Sequence, residues 1–237
     1  GTKDDSKVID AYRALQGRWP YLKDAEFRFY FGYWLVTCLL LTLIVWRSVS
    51  PGHLGQAARA AFFAGTSMLS TTGFCTADFD LWPASAKIIL VLAMLVGGCA
   101  GSTAGAIKQG RVLVVLKRIL RGIWQFMLPQ AVLPLKLGRQ HVEPTVADHI
   151  STYFGLYLLV FALATLGVSC FTDGETALSA VAATLGGVGP GFSMAGASET
   201  YAPFAAPAKA IFILCMLLGR LEFYALFAIL FPRFWRR

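Results

Sequence analysis

The sequence predicts an all-α membrane protein made of two helix–pore-loop–helix repeats. Composition is the first reason. Of 237 residues, 57% are hydrophobic and 14% charged, against about 25% charged in soluble domains, and mean hydropathy is +0.61. Lipid is the solvent such a chain suits. The second reason is a pattern: charge-free runs long enough to span a bilayer alternate with shorter apolar runs that end in glycine-rich loops. The third is self-similarity. Shifted by 116 positions, Leu69-Ser70-Thr71-Thr72-Gly73 falls on Leu185-Gly186-Gly187-Val188-Gly189. With six extra residues in the later copy, Ala86-Lys87 falls on Ala208-Lys209, and Met94-Leu95-Val96-Gly97 on Met216-Leu217-Leu218-Gly219. Repetition of this kind decides folds, and repeats around a shared site are a common plan in membranes.

Residues 1–28 are mixed polar and charged and read as a cytoplasmic linker. Val8, Ala11, Tyr12 and Leu15 recur at helical spacing, which predicts an amphipathic helix to about Gln16, ahead of Gly17 and Pro20. The opening Gly1-Thr2 has no Met and no signal-peptide pattern, so the chain is expected to be a fragment. The first repeat is assigned to 29–123. Its first span, 29–46, carries no charge; at about 1.5 Å per residue it measures roughly 27 Å, enough for the hydrocarbon core. Tyr30, Tyr33, Trp34 and Trp46 lie near its ends, where amphipathic rings prefer the interface. The run 57–69 is too short to span and reads as a re-entrant helix. Residues 84–123 form one long segment broken at Gly97 to Gly105, where four glycines in nine residues each disfavour helix by about 1 kcal/mol. A basic helix resumes at Ala106. Pro129, Pro134, Gly138 and Pro144 mark 124–149 as a cytoplasmic connector. The second repeat, 150–237, follows the same plan: a span at 151–171, a short helix at Thr176–Thr184 entered through Asp173-Gly174-Glu175, a loop from Leu185 to Phe192, and a last span at 207–231 stopped by Pro232.

The loops carry the chemistry. In Ser70-Thr71-Thr72-Gly73-Phe74 the glycine tolerates positive φ, which lets a backbone turn its carbonyl oxygens inward and replace an ion's hydration shell. Irregular backbone at membrane depth survives only inside protein or beside water, so the loop is expected to face a cavity. One glycine-rich pentad is a weak signal; its second copy makes it a strong one. The run Gly97–Gly105 has the look of a phosphate loop, but lacks the Gly-Lys-Ser/Thr ending that holds phosphate and Mg²⁺.

Charge sets the topology. With residue 1 inside, sixteen Lys and Arg fall on the inner side and four on the outer (Arg47, Arg59, Lys87 and Lys209), which the positive-inside rule favours. The formal charge of +8 is therefore topology, and no nucleic-acid partner is expected. Asp78, Asp80, Asp173, Glu175 and Glu199 lie on the outer side, where negative potential would concentrate cations. Arg220 and Glu222 sit within the last span, where charge is expensive and usually functional. By the repeat, Arg220 takes the place of Gly98. Its forked guanidinium is expected to face the pore and hold exposed carbonyls of the Gly97–Gly105 loop; an ion pair with Glu222 is the structural alternative.

Thr71-Thr72-Gly73-Phe74, Gly97-Gly98-Cys99-Ala100-Gly101-Ser102-Thr103, Gly189-Pro190-Gly191 and Gly219-Arg220-Leu221-Glu222 closely resemble the Trk/Ktr/HKT superfamily of potassium transporters, in particular the membrane subunit of the bacterial Trk system. Cys99 with Ala100 is more similar to Trk than to Ktr. The resemblance implies four repeats in one chain, arranged pseudo-fourfold as a potassium-channel-like pore, of which this sequence resembles the third and fourth. It implies potassium-binding filter backbone at Thr71, Thr72, Gly73, Gly187, Val188 and Gly189. It implies a gating loop with Gly97, Gly98, Gly101 and Gly105, and Arg220 as its partner. Ser in place of a filter Gly is associated with sodium permeation in this superfamily, so Gly73 and Gly189 favour potassium. Ala104 stands where many relatives have Gly, which is expected to stiffen the loop. K⁺ is then the transported ion, with no organic cofactor. The expected partners are membrane lipid, the two further repeats, a second copy in a homodimer, and a cytosolic nucleotide-binding regulatory subunit docking on the basic 108–139 stretch. The place is the bacterial inner membrane, multi-pass, with residue 1 cytoplasmic.

Three other readings compete with this one. A sodium or mixed monovalent cation transporter has the same fold. A non-conducting scaffold half has the same helices without converging filter carbonyls, and a half-pore by itself is expected to be unstable. A membrane enzyme needs clustered intramembrane His or carboxylates, but His53, His141 and His149 fall outside the spans and Glu222 is a lone acid; the chain is not read as an enzyme. The five cysteines are far apart, lack metal-ligand spacing, and read as small apolar filler.

Overall fold

The computed structural model describes residues 24–128, 134–138, 140–221 and 223. The expected helix before Gln16, the tail after Pro232, and Glu222 lie outside them.

The described residues fold into seven α-helices, α1 (Ala25–Ser48), α2 (Leu54–Leu69), α3 (Ala84–Leu95), α4 (Gln109–Met127), α5 (Pro144–Ser169), α6 (Gly174–Gly186) and α7 (Ala206–Leu221), with single 3-10 turns at Phe79–Leu81 and Ser193–Ala195. Among the described residues the only strands are a two-residue ribbon, β1 (Lys136–Leu137) and β2 (Gln140–His141), in the α4–α5 connection. The expected all-helical class holds apart from that ribbon.

Local chemistry explains the helix ends. Asp24 caps α1, its carboxylate accepting from the Glu26 N–H, so the helix starts four residues before the charge-free run. Pro144 opens α5, where its missing N–H is harmless. Asp173 caps α6 through the N–H and hydroxyl of Thr176, and these bonds hold its carboxyl below the usual carboxylate range. With no breaker before Pro129, α4 runs on through Trp124 to Met127, so the connector is shorter than 124–149. The break after α3 is longer than expected. Helix resumes at Gln109 instead of Ala106, because Ala106 is held at φ +55° while Val96 and Ile107 pair as a parallel bridge.

Two sets of three helices pack alike. α1, α2 and α3 contact one another pairwise, and so do α5, α6 and α7; α3 against α6 joins the two sets. Each set has its own core. Leu41, Met68, Leu90 and Met94 belong to the first, and Tyr157, Val181, Leu185 and Phe212 to the second. Helix α6 serves both, since its Ala182 and Ala183 pack into the first core. The α1–α2 contact is close because small residues line it. Ala57, Ala61, Ala64 and Gly65 are buried, and a Cβ on Gly65 would stand 3.0 Å from Cys38 Sγ.

Two described helices, α1 and α5, are long and apolar enough to cross a membrane. Four crossings were expected. In the first repeat α3 has only 12 residues before its break, about 18 Å of helix; in the second, the later part of the 207–231 run lies outside the described residues. The outward faces of α1 and α5 carry Leu35, Leu39, Leu40, Leu43, Leu159, Leu163 and Leu166 exposed, the pattern of helices whose outer solvent is hydrocarbon.

Candidate functional site

Each short helix ends in the same hook. Thr71 N–H bonds to Met68 O at 3.2 Å, Thr72 N–H to Ser67 O at 2.9 Å, and Gly73 N–H to Ser67 O at 3.4 Å. In the second copy, Gly187 N–H bonds to Thr184 O at 3.2 Å, Val188 N–H to Ala183 O at 2.8 Å, and Gly189 N–H to Ala183 O at 3.4 Å. Every donor and acceptor is displaced by 116 positions. The backbone twists match too: φ is +56° at Thr71 and +78° at Gly73, +67° at Gly187 and +112° at Gly189.

The hook has a stereochemical consequence. In a trans peptide, C=O points opposite to the N–H of the next residue. N–H groups of Thr72, Gly73, Val188 and Gly189 turned into the helix ends therefore aim the carbonyls of Thr71, Thr72, Gly187 and Val188 away from them. Among the described residues no backbone N–H donates to these four oxygens. The two loops also meet. A Cβ on Gly73 would run into Val188 O and reach Pro190 Cδ at 3.0 Å.

Behind the hooks lies the Val96–Lys108 loop. Gly97 N–H donates to Ile107 O at 2.9 Å and Gln109 N–H to Gly98 O at 3.1 Å, which close the loop at its base. Gly105 N–H donates to Thr71 Oγ1 at 3.2 Å, tying the loop to the first hook. Glycine permits the rest of the packing: Gly105 lies against Gly186 O, Gly97 against Gly105 O, and Gly219 against Leu185 O. Gly98 packs on Ser102, whose Oγ would stand 2.7 Å from a Cβ there. Gly101 stands apart at φ +84° with open space around it.

Cations hold the loop's carbonyls. Arg220 Nη1 donates to Thr103 O at 2.6 Å, the contact expected of it. Lys108 Nζ donates to Ser102 O at 2.8 Å and Ala104 O at 2.5 Å. Three successive carbonyls thus each face a fixed positive charge. Both cations line a cavity of about 240 Å³ with Tyr153 and Gly219. Glu26 holds the loop from the other side, its Oε1 accepting from Ala100 N–H at 2.7 Å and Gly110 N–H at 2.9 Å. That carboxylate also meets the positive end of the α4 dipole.

Lys108 and Glu26 were not singled out by the sequence. Lys108 reads as one of several bases on a helix, and Glu26 as linker; their partners appear only on folding. Glu26→Ala leaves two backbone donors without their partner, a loss of about 1–3 kcal/mol if they stay dry. Hydrogen exchange across 97–108, measured in a full-length protein carrying this segment, is expected to accelerate; unchanged exchange would refute the latch.

Of the expected outer acids, Asp80, Glu175 and Asp173 are engaged within the fold. Asp80 accepts from Ser193 N–H at 2.8 Å, Glu175 pairs with Lys87 at 2.5 Å, and Asp173 caps α6. Part of the basic stretch is likewise used within the fold: Arg118 reaches Asp148 at 2.6 Å and Lys117 donates to Lys136 O at 2.7 Å. All five cysteines are free, and no group of His, Cys, Asp and Glu among the described residues has metal-binding geometry.

Known proteins resemble this chain in sequence and fold. The family described as "TrkH: Cation transport protein" matches residues 4–234. "Trk system potassium uptake protein TrkH" of Halomonas elongata is 35% identical over 218 residues, 92% of this chain and 45% of that protein. The Escherichia coli K12 protein of the same name is 32% identical over 217 residues, 91% of this chain and 44% of that one. The crystal structure of the potassium transporter TrkH from Vibrio parahaemolyticus superposes with a TM-score of 0.83 at 34% identity, covering 91% of this chain and 46% of that structure. The chain therefore spans a little under half the length of the relatives it matches.

Proposed function

Because the chain belongs to the TrkH family of cation transport proteins, we propose that it supplies two of the four pore-loop repeats of a potassium uptake pore in the bacterial inner membrane. The observation that carries this reading is the pair of hooks, repeated bond for bond at an offset of 116 positions, with the carbonyls of Thr71, Thr72, Gly187 and Val188 turned off their helices. Carbonyls from two further repeats complete the ring, and the ring replaces the hydration shell of K⁺. Glycine at 73 and 189 leaves the ring open to potassium over sodium.

The Val96–Lys108 loop is the gate in this reading. It sits against both hooks, and its Ser102, Thr103 and Ala104 carbonyls are neutralised by Lys108 and Arg220. Held there, it fills the path, and the two cations repel an entering ion. Opening requires Arg220, Lys108 and Glu26 to release it. The control comes from a cytosolic nucleotide-binding subunit that docks on the basic 108–139 stretch, and the assembly is a homodimer in the membrane with residue 1 on the cytoplasmic side.

The test is potassium-dependent growth of a potassium-uptake-deficient bacterium expressing a full-length transporter that carries this segment. Rescue at low potassium is expected. Gly189→Ser places an L-residue at φ +112°, a strain of about 1–2 kcal/mol, and is expected to make rescue weak or sodium-sensitive. Rescue untouched by Gly189→Ser would show that the ion path lies elsewhere.

A further inference from the structure

We propose that Tyr201 is a positioning residue for the filter: its hydroxyl fixes the Gly189 carbonyl and thereby the ion preference of the second loop. The inference rests on the filter reading above and adds a residue to it.

The reason lies at Pro190. The carbonyls of Thr71, Thr72, Gly187 and Val188 are fixed from the far end of their own peptides, whose N–H groups bond into a helix end. The peptide between Gly189 and Pro190 has no N–H, so that device is absent. Gly189 offers little else to hold it, with φ +112° and no atom within 4 Å of where a side chain would begin. The restraint comes from the oxygen side: Tyr201 Oη donates to Gly189 O at 2.8 Å. A carbonyl oxygen has two acceptor sites, so one bond to Tyr201 leaves the other for an ion.

The hydroxyl is pre-positioned. The Tyr201 ring stacks on Phe204 with centroids 5.4 Å apart and meets Phe212 edge-on at 5.4 Å. Phe204 and Phe212 contact each other at 5.2 Å and are buried in the second core. Packing of this kind fixes a ring to a narrow range of orientations.

The first repeat lacks the device. Under the offset that aligns Ala86 with Ala208, Phe79, Trp82 and Leu90 fall on Tyr201, Phe204 and Phe212. The aromatic bracket is kept, since Phe79 meets Trp82 edge-on at 6.5 Å, but Phe79 has no hydroxyl. Gly73 O is met by Cys75 Sγ at 3.5 Å, a weak donor. The two glycine carbonyls are thus held unequally, tightly at Gly189 and loosely at Gly73. Discrimination between ions depends on the number and field of coordinating carbonyls, so the tighter of the two sets the preference.

The experiment is Tyr201→Phe in a full-length transporter carrying this segment, reconstituted in liposomes, with half-saturation for Rb⁺ and inhibition by Na⁺ measured together. Phe keeps the ring and its packing, and thermal unfolding checks the fold. The expected result is a fall of about fivefold in preference for Rb⁺ over Na⁺, equivalent to one net hydrogen bond, with the maximal Rb⁺ rate little changed. An unchanged preference overturns the proposal, and so does a fall in the Rb⁺ rate with Rb⁺ half-saturation and Na⁺ inhibition unaltered, which is what a purely structural hydroxyl gives. Gly189→Ser in the same assay separates the two claims. If it alters preference while Tyr201→Phe does not, the filter stands and the role of Tyr201 falls; if neither does, the filter reading itself fails.

Discussion

In a full-length transporter carrying this segment, Gly73→Ala is expected to abolish potassium-dependent growth while Gly52→Ala leaves it standing, the largest effect the proposed filter predicts. Both glycines have positive φ, +78° and +89°, so each substitution carries a similar backbone strain of about 1–2 kcal/mol. They differ in surroundings. Nothing lies within 4 Å of the Cβ position at Gly52, whereas at Gly73 it falls on Val188 O. Backbone cannot rotate aside as a side chain does, so the second loop must move and its carbonyls leave their positions. Strain alone gives about a tenfold effect; loss of loop geometry gives loss of transport. Growth at limiting potassium, with membrane protein levels measured in parallel, checks the pair. Equal growth of the two variants would show that the Gly73–Val188 contact is incidental.

Arg220→Ala acts in the opposite direction and raises flux. Removing it frees the Thr103 carbonyl of its 2.6 Å partner, while Lys108 still holds Ser102 O and Ala104 O. Arg220 is exposed to the cavity, so the charged hydrogen bond is worth about 1 kcal/mol, or roughly a fivefold rise in open loop. Initial rates of rubidium uptake in liposomes at matched protein read this directly. Adding Lys108→Ala should give more than the product of the single effects, because both residues clamp one loop. Unchanged rates and unchanged control in Arg220→Ala would remove Arg220 from the gate.

The likeness of the two loops was legible because a hooked loop needs the same residues at the same spacing each time. The backbone must turn left-handed twice, at 71 and 73 and again at 187 and 189, and glycine at three of those four positions leaves a visible mark. Thr71 carries the fourth turn with no such mark. Arg220 was legible because charge in an apolar run is rare. Its partner was legible as a loop, though not down to Thr103. Helix limits were less so. Ala106 favours helix intrinsically, but the Val96–Ile107 bridge holds it left-handed, a tertiary constraint with no local signature. Glu26 and Tyr201 were invisible for a related reason: each acts through hydrogen bonds to backbone distant in sequence, 74 and 84 residues away for Glu26 with Ala100 and Gly110, 12 for Tyr201 with Gly189. An acid in a first helical turn and a tyrosine in a loop are ordinary on their own.

The central claim is that the two hooks are half of a carbonyl filter, and the most direct measurement is rubidium anomalous scattering from crystals of a full-length transporter carrying this segment. The account predicts rubidium between the loops, against the carbonyls of Thr71, Thr72, Gly187 and Val188, retained when sodium replaces potassium in the medium and displaced by excess potassium. Rubidium bound elsewhere in a transport-competent protein, with the space between the loops empty, would contradict it.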